Sequence, residues 1–477
     1  MIPFRKVSLS DRPTIEKYLL KASAPICDAT FSSLYMWQEA YNTHWAEAEG
    51  AMVVRFDLSH DGVKGYMIVA SEQFYRCEQS CDRLYRRLIA DAEADCRPLR
   101  FVCMSRQAID HFLQWADANY AVEQQGHRSE SGRRNFAICD NPDYRDYIYS
   151  LEDLSQLAGR KYQPKRNHIN RFESKYSYTF EPLSAADFEQ CLALACRWQR
   201  QKMEVQDDMV EVRNRVEHEC PPTEEHIAIR RAFEAYDELQ LVGGVLKVEG
   251  RVVAFTYGSP LGDKLFCTHI EKADASIEGA FQMINRCFAQ MLQQMGYEMV
   301  NREEDMGIAG LRRAKQSYYP VMMQEKMSLR ALTPREVSSC ELWQEVFGDE
   351  REFIDLFMNE VYSPENMLVR EEQGRVVSML HIVEMQTSLG KTGYLYAIAT
   401  TEEYRGKGYA SQLIGEALHL MRQRGYQVAM LIPASAELKP YYEHFGFEDR
   451  AFKVDFSDGV YLGTGDSSAD LAMVLEL

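Results

Sequence analysis

The sequence predicts an α/β (α+β) chain of three modules, each a mixed central sheet flanked by helices. Three observations predict it. The length of 477 residues corresponds to roughly three domains at about 150 residues each. An internal repeat runs through the last half of the chain. Each copy has the order hairpin, strand, glycine turn, helix, strand, which makes a βαβ unit.

The modules are expected at 1–145, 146–325 and 330–477. The clearer seam runs from Glu325 to Cys340. Tyr318-Tyr319-Pro320 punctuates the chain before it, and within it Thr333-Pro334-Arg335-Glu336 reads as a turn followed by a helix start. A weaker seam lies at Asp140-Asn141-Pro142-Asp143.

The repeat shows first as a tetrapeptide. Gly250-Arg251-Val252-Val253 recurs as Gly374-Arg375-Val376-Val377, each a tight turn entering a β-branched strand. The spacing from Gly279 to Gly296 then equals that from Gly408 to Gly425, and each span is a helical pattern. Ile284, Phe288, Met291 and Leu292 hold the places of Leu413, Ala417, Leu420 and Met421, one stripe at i, i+4, i+7, i+8. A strand follows each helix, 298–300 and 428–432. A third copy is expected near the start, with strands at 52–56 and 65–69, a helix over 81–94 and a strand at 99–103.

Composition sets limits. Hydrophobic residues make up 46% and charged residues 26%, which suits a soluble globular protein with cores large enough to need neither disulfides nor metals. A net charge of -18 argues against broad, sequence-independent nucleic-acid binding. No apolar run approaches the ~18 residues of a membrane span. Met1-Ile2-Pro3-Phe4-Arg5 opens into polar sequence, so we expect no secretory leader, a cytoplasmic, reducing location and free thiols. Cys77-x3-Cys81 lacks a second ligand pair, and no metal site is expected.

The chemistry is expected in one loop. The strand ending Ile398-Ala399-Thr400 leads into Arg405-Gly406-Lys407-Gly408-Tyr409-Ala410, which opens a helix. Glycines let backbone approach a ligand closely. The helix N-terminus offers unpaired N–H groups and partial positive charge, and Arg405 and Lys407 add more. Together these make a pyrophosphate site, although neither the P-loop nor the dinucleotide spacing is present.

This segment resembles the GNAT N-acetyltransferase superfamily. Arg405-Gly406-Lys407-Gly408-Tyr409-Ala410 fits the family's Arg/Gln-x-x-Gly-x-Gly/Ala loop, and Tyr442-Glu443-His444-Phe445-Gly446-Phe447 fits its Tyr-x-x-x-Gly-Phe string. Two departures are Glu402, where members often have proline, and Ser435, where they often have asparagine. The resemblance implies acetyl-CoA as co-substrate, held at Ile398, Ala399, Thr400, the loop 405–410 and Ser435. It implies direct attack of an amine on the thioester, with Tyr442 as general acid. The acceptor it implies is a small-molecule or peptide amine, and no residue in the sequence distinguishes between them. Tyr394, Tyr396, His381 and Glu384 lie on strands facing the expected cleft, and none is singled out as base.

Residues 1 to about 325 resemble a different group, an uncharacterised family related to the C-terminal domain of phosphatidylglycerol lysyltransferases, built of tandem GNAT-like modules. The residues that carry this are Tyr147-Ile148-Tyr149 with 157–172, and the run 300–320. The resemblance implies an alternative donor, aminoacyl-tRNA, or a non-catalytic region that feeds an acceptor to the C-terminal enzyme. Arg160, Lys161, Lys165, Arg166, Arg171 and Lys175 gather within one stretch beside the single acid Glu173; the first five are candidate contacts for RNA or phosphate. Where the third module has Arg405 to Ala410, the second has Asp274-Ala275-Ser276-Ile277-Glu278-Gly279, whose two acids would repel a pyrophosphate. Asn301-Arg302-Glu303-Glu304-Asp305 reads as an ion-pair network at a sheet end, and His269 as a structural histidine.

Overall fold

The computed structural model describes residues 2–21, 25–57, 64–119, 132–206, 223–387, 389–449 and 472–477. These form three mixed sheets flanked by helices. The first sheet begins with β1 (Arg5–Lys6), β2 (His44–Ala48), β3 (Ala51–Asp57), β4 (Lys64–Val69), β5 (Arg100–Met104) and β6 (Phe136–Cys139). The second holds β7 (Asp146–Ser150), β8 (Tyr178–Pro182), β9 (Val242–Val248), β10 (Arg251–Pro260), β11 (Leu265–Ala273), β12 (Met299–Asn301) and β13 (Met322–Gln324). The chain then returns to the first sheet as β14 (Met327–Ala331), between β5 and β6. Arg330 and Ala331, at the expected head of the third module, therefore lie in the first sheet. The third sheet holds β15 (Met367–Glu372), β16 (Arg375–Thr387), β17 (Gly390–Thr400), β18 (Val428–Leu431), β19 (Glu448–Asp449) and β20 (Met473–Glu476).

One pairing pattern recurs in all three sheets. β3–β4 is antiparallel, β4–β5 parallel and β5–β14 antiparallel. β10–β11, β11–β12 and β12–β7 repeat that series, as do β16–β17, β17–β18 and β18–β20. The parallel step needs a crossover, supplied by the helices Glu78–Ala94, Ala280–Gln294 and Tyr409–Gln423. Their apolar stripes face inward: Ile284, Phe288 and Leu292 in one, Leu413, Ala417 and Met421 in another, are all buried.

Local signals act where the sequence places them. Gly250 and Gly374 take φ +77 and +78 in the two hairpin turns, a region that L side chains rarely adopt. Thr333 caps the helix Pro334–Phe347 in a reciprocal capping box with Glu336. One hydrophobic cluster joins the first and second modules, packing Trp45 and Val54 with Phe255 and Ile270. The third module meets the first through the Arg133–Asp355 ion pair at 3.1 Å, in which Asp355 is fully buried. Among the described residues no helix is long and apolar enough to cross a membrane, and every cysteine is free.

Candidate functional site

The first candidate site lies at the end of β17. β17 pairs in parallel with β18 only from Thr392 to Tyr394, yet it runs on to Thr400. Ala397 bulges out with φ +50, and the register against β16 shifts beside it. The two parallel strands therefore splay, and one edge of β17 from Leu395 onward has no strand against it among the described residues. Ile398 is half-buried and Ala399 buried there, and Thr400 shares a 2.9 Å hydroxyl contact with Ser378.

The glycine loop closes this opening. Gly406 and Gly408 take φ +75 and +82, and an added Cβ at either would meet nothing within 4 Å. Gln412 N–H makes the first helical bond, to the Gly408 carbonyl at 3.0 Å. Among the described residues, the amides from Gly406 to Ser411 donate to no protein acceptor. They form an unoccluded row of donors at a helix N-terminus, the arrangement that suits an anion. The Arg405 Nε folds back onto the Thr400 carbonyl at 3.2 Å. The Lys407 ammonium lies 4.0 Å from the Tyr404 ring centre, and Tyr409 donates to Glu372 at 2.5 Å.

The facing wall comes from the helix Lys439–Glu443. Its two tyrosines have different places. Tyr441 shares a 3.0 Å hydroxyl contact with Ser411. Tyr442 is buried, and burial raises its phenol to about 12, so it stays protonated near neutrality. Ser435 caps the short turn 436–438 without a side-chain cap bond. Glu384 accepts from Tyr426 at 2.7 Å and pairs with Lys391 at 3.1 Å. His381 is buried against Trp343, Phe357 and Tyr362.

The equivalent place in the second module differs. Gly279 has φ +87, but a Cβ there would lie 2.5 Å from the His168 carbonyl, because the helix Gln163–Lys175 lies over the turn. Glu278 is held by Arg171 at 2.8 Å and Lys175 at 2.5 Å. Lys161 pairs with Asp153 at 3.2 Å, and Arg166 donates to the Leu157 and Gly159 carbonyls. The Lys165 ammonium reaches Ser317 at 2.6 Å and lies 4.0 Å from the Tyr318 ring centre; burial lowers it to about 8. Of the five proposed phosphate contacts, only Arg160 has no such protein partner among the described residues.

Sequence reasoning missed what fills the second module's own strand gap. β11 pairs with β12 only from Leu265 to Cys267 and continues through His269. The space beyond holds a buried polar cluster. Lys326 sits among Asp146 at 2.7 Å, Asp28 at 2.7 Å, Glu304 at 2.9 Å and the Cys27 Sγ at 3.1 Å. Burial acts to lower the Lys326 ammonium, but the carboxylates around it prevail and hold it well above its ordinary value. For Glu304, burial is outweighed by Lys326, and its carboxyl falls to about 2. Burial and the Glu304 charge push Glu303 the other way, well above its ordinary value. The Lys315 ammonium donates to the carbonyls of Arg302, Glu303 and Glu304 at 2.5–3.1 Å. The expected Asn301–Asp305 network is present, but Cys27, Asp146 and Lys326, distant in sequence, supply part of it. The one local signal was the acidic run itself.

Residues 23–330 match the family model described as phosphatidylglycerol lysyltransferase, C-terminal. Residues 328–449 match the model described as acetyltransferase (GNAT) domain. A crystal structure of a conserved protein of unknown function from Bacteroides thetaiotaomicron is 32% identical, with a TM-score of 0.57, over 69% of this chain and 100% of that one. L-PGS from Bacillus licheniformis is 14% identical with a TM-score of 0.42, over 67% of this chain and 92% of that one. A GNAT family N-acetyltransferase from Escherichia coli, in complex with CoA, is 18% identical with a TM-score of 0.24, over 30% of this chain and 77% of that one. No curated protein matches the chain.

Proposed function

This chain belongs to the phosphatidylglycerol lysyltransferase C-terminal family, and we propose that it is an acyltransferase whose 330–477 module moves acetyl from acetyl-CoA to a primary amine. The observation that supports this reading is the open row of amides from Gly406 to Ser411. In this reading the pyrophosphate sits on those amides and the pantetheine arm lies along the free edge of β17 at Ile398 to Thr400, with Ser435 across from it. The amine attacks the thioester carbon directly, and β17 amides polarise the carbonyl. Tyr442 gives its proton to the departing thiolate. The division into modules 1–145, 146–325 and 330–477 belongs to the same proposal.

Family membership favours a second reading, aminoacyl transfer by residues 1–325. The covered Gly279 turn is compatible with a donor other than CoA there. Calorimetric titration of acetyl-CoA into the full chain tests the first reading: binding is expected, and its absence would leave aminoacyl transfer. That second reading predicts aminoacyl-tRNA binding that weakens with salt and on charge removal at Lys165 and Arg166.

A further inference from the structure

The gap between β11 and β12 holds a second group of donors beside the Lys326 cage, and they converge differently. The Cys267 Sγ lies 3.7 Å from the His269 Nδ1. The Glu303 Oε1 lies 3.0 Å from that nitrogen and 4.0 Å from the Cys267 Sγ. Cys267 and His269 are buried, and the Glu303 side chain is 22% exposed. The Ser33 Oγ stands 3.5 Å from the same Nδ1. The other ring nitrogen, Nε2, is bound to the Ser259 Oγ at 2.8 Å.

Two other uses of these groups fit poorly. A nucleophilic triad needs the thiol on one ring nitrogen and the carboxylate on the other; here both meet Nδ1. A plain ion pair would not bring a buried thiol to the same point. Three donor atoms of the types Cys, His and Glu, gathered around one point, are instead a metal-ligand set. Tetrahedral geometry at the usual zinc–sulfur and zinc–nitrogen or zinc–oxygen lengths puts such atoms about 3.4–3.6 Å apart; the pairs here stand at 3.0, 3.7 and 4.0 Å, so each would shift by about half an ångström or less to hold an ion. The Ser259 contact is the outer bond by which a ligating histidine is usually oriented.

The neighbouring charges are already matched. Lys326 lies among Asp28, Asp146 and Glu304, whereas the Glu303 carboxyl meets only His269 and Cys267 among the described residues. The neighbouring group of Cys27, Asp146 and Glu304 already has the Lys326 ammonium at its centre, so only the Cys267 group is free to take an ion.

We propose that Cys267, His269 and Glu303 bind a zinc ion, with the fourth position facing Ser33 and open to water or to a ligand. The site lies in the second module's strand gap, the counterpart of the opening where the third module is proposed to hold its thioester, and it is independent of that assignment.

The test is metal content and spectroscopy on the full chain. Elemental analysis after purification without chelator should find one zinc per chain. Replacement by cobalt should give the visible bands of a tetrahedral ion and a thiolate charge-transfer band. That band should vanish in Cys267→Ser and persist in Cys27→Ser. Ser259→Ala, which leaves all three ligands in place, should weaken zinc binding roughly 10- to 100-fold. A folded wild-type chain that holds no zinc and takes up no tetrahedral cobalt overturns the proposal. So does a charge-transfer band that survives Cys267→Ser, or, if that variant does not fold, unchanged zinc affinity in Ser259→Ala.

Discussion

Gly279 and Gly408 head equivalent helices with nearly the same backbone, φ +87 and +82, yet a Cβ on the first would strike the His168 carbonyl at 2.5 Å while one on the second would meet nothing within 4 Å. The same local device is thus covered in one module and open in the other.

Two substitutions separate these roles. Gly408→Asp should weaken acetyl-CoA binding roughly 100-fold or more, since a like charge about 4 Å from a phosphate costs of order 4 kcal/mol near a protein surface. Gly279→Ala should leave acetyl-CoA affinity unchanged while lowering stability by at least about 1–3 kcal/mol, from backbone strain together with the clash against the His168 carbonyl. Calorimetry and urea unfolding read the two effects. Equal binding by wild type and Gly408→Asp would remove the loop from the mechanism.

Tyr442 is buried with its phenol raised to about 12, whereas Tyr441 is engaged with Ser411. Tyr442→Phe should keep acetyl-CoA affinity and lower turnover by about 10²–10⁴-fold, the usual worth of a positioned acid. Tyr441→Phe should lower it far less. Steady-state kinetics with a primary-amine acceptor reads the difference, and unchanged turnover in Tyr442→Phe would clear that residue of the role.

Lys326 is the central cation of a buried cage. Lys326→Met leaves Asp28, Asp146 and Glu304 facing one another without it. Removing one partner of a buried ion pair costs about 3–5 kcal/mol, so the variant should unfold at clearly lower urea. An unchanged midpoint would mean that the cage contributes little to stability.

His381 carries a pH dependence. Burial depresses its imidazole to about 3, and its Nε2 has no hydrogen-bond partner among the described residues. The folded chain keeps it neutral, whereas an unfolded histidine takes a proton near pH 6.5. Its contribution is therefore complete above about pH 6.5 and falls as pH drops toward 3, by up to about 1.4 kcal/mol per pH unit. His381→Phe should flatten the stability profile between roughly pH 6 and pH 4. A profile with the same slope in both proteins would contradict the assignment.

The sequence alone determined the features that depend on spacing along the chain. The repeat of glycine turns and buried helix stripes, the capping box at Thr333 and the run from Arg405 to Ala410 were all legible there. Helical period, positive φ and capping act over a few residues, so order along the chain records them. Only the tertiary structure decided which glycine turn is open, because the group that covers Gly279 comes from His168. Likewise it was folding that carried Met327–Ala331 back into the first sheet. The meeting of Cys27, Asp146, His269, Glu303 and Lys326 has the same cause. Those residues come from separate strands and turns, and no period links them. Burial brings them together, and burial sets the energy of every charge they carry.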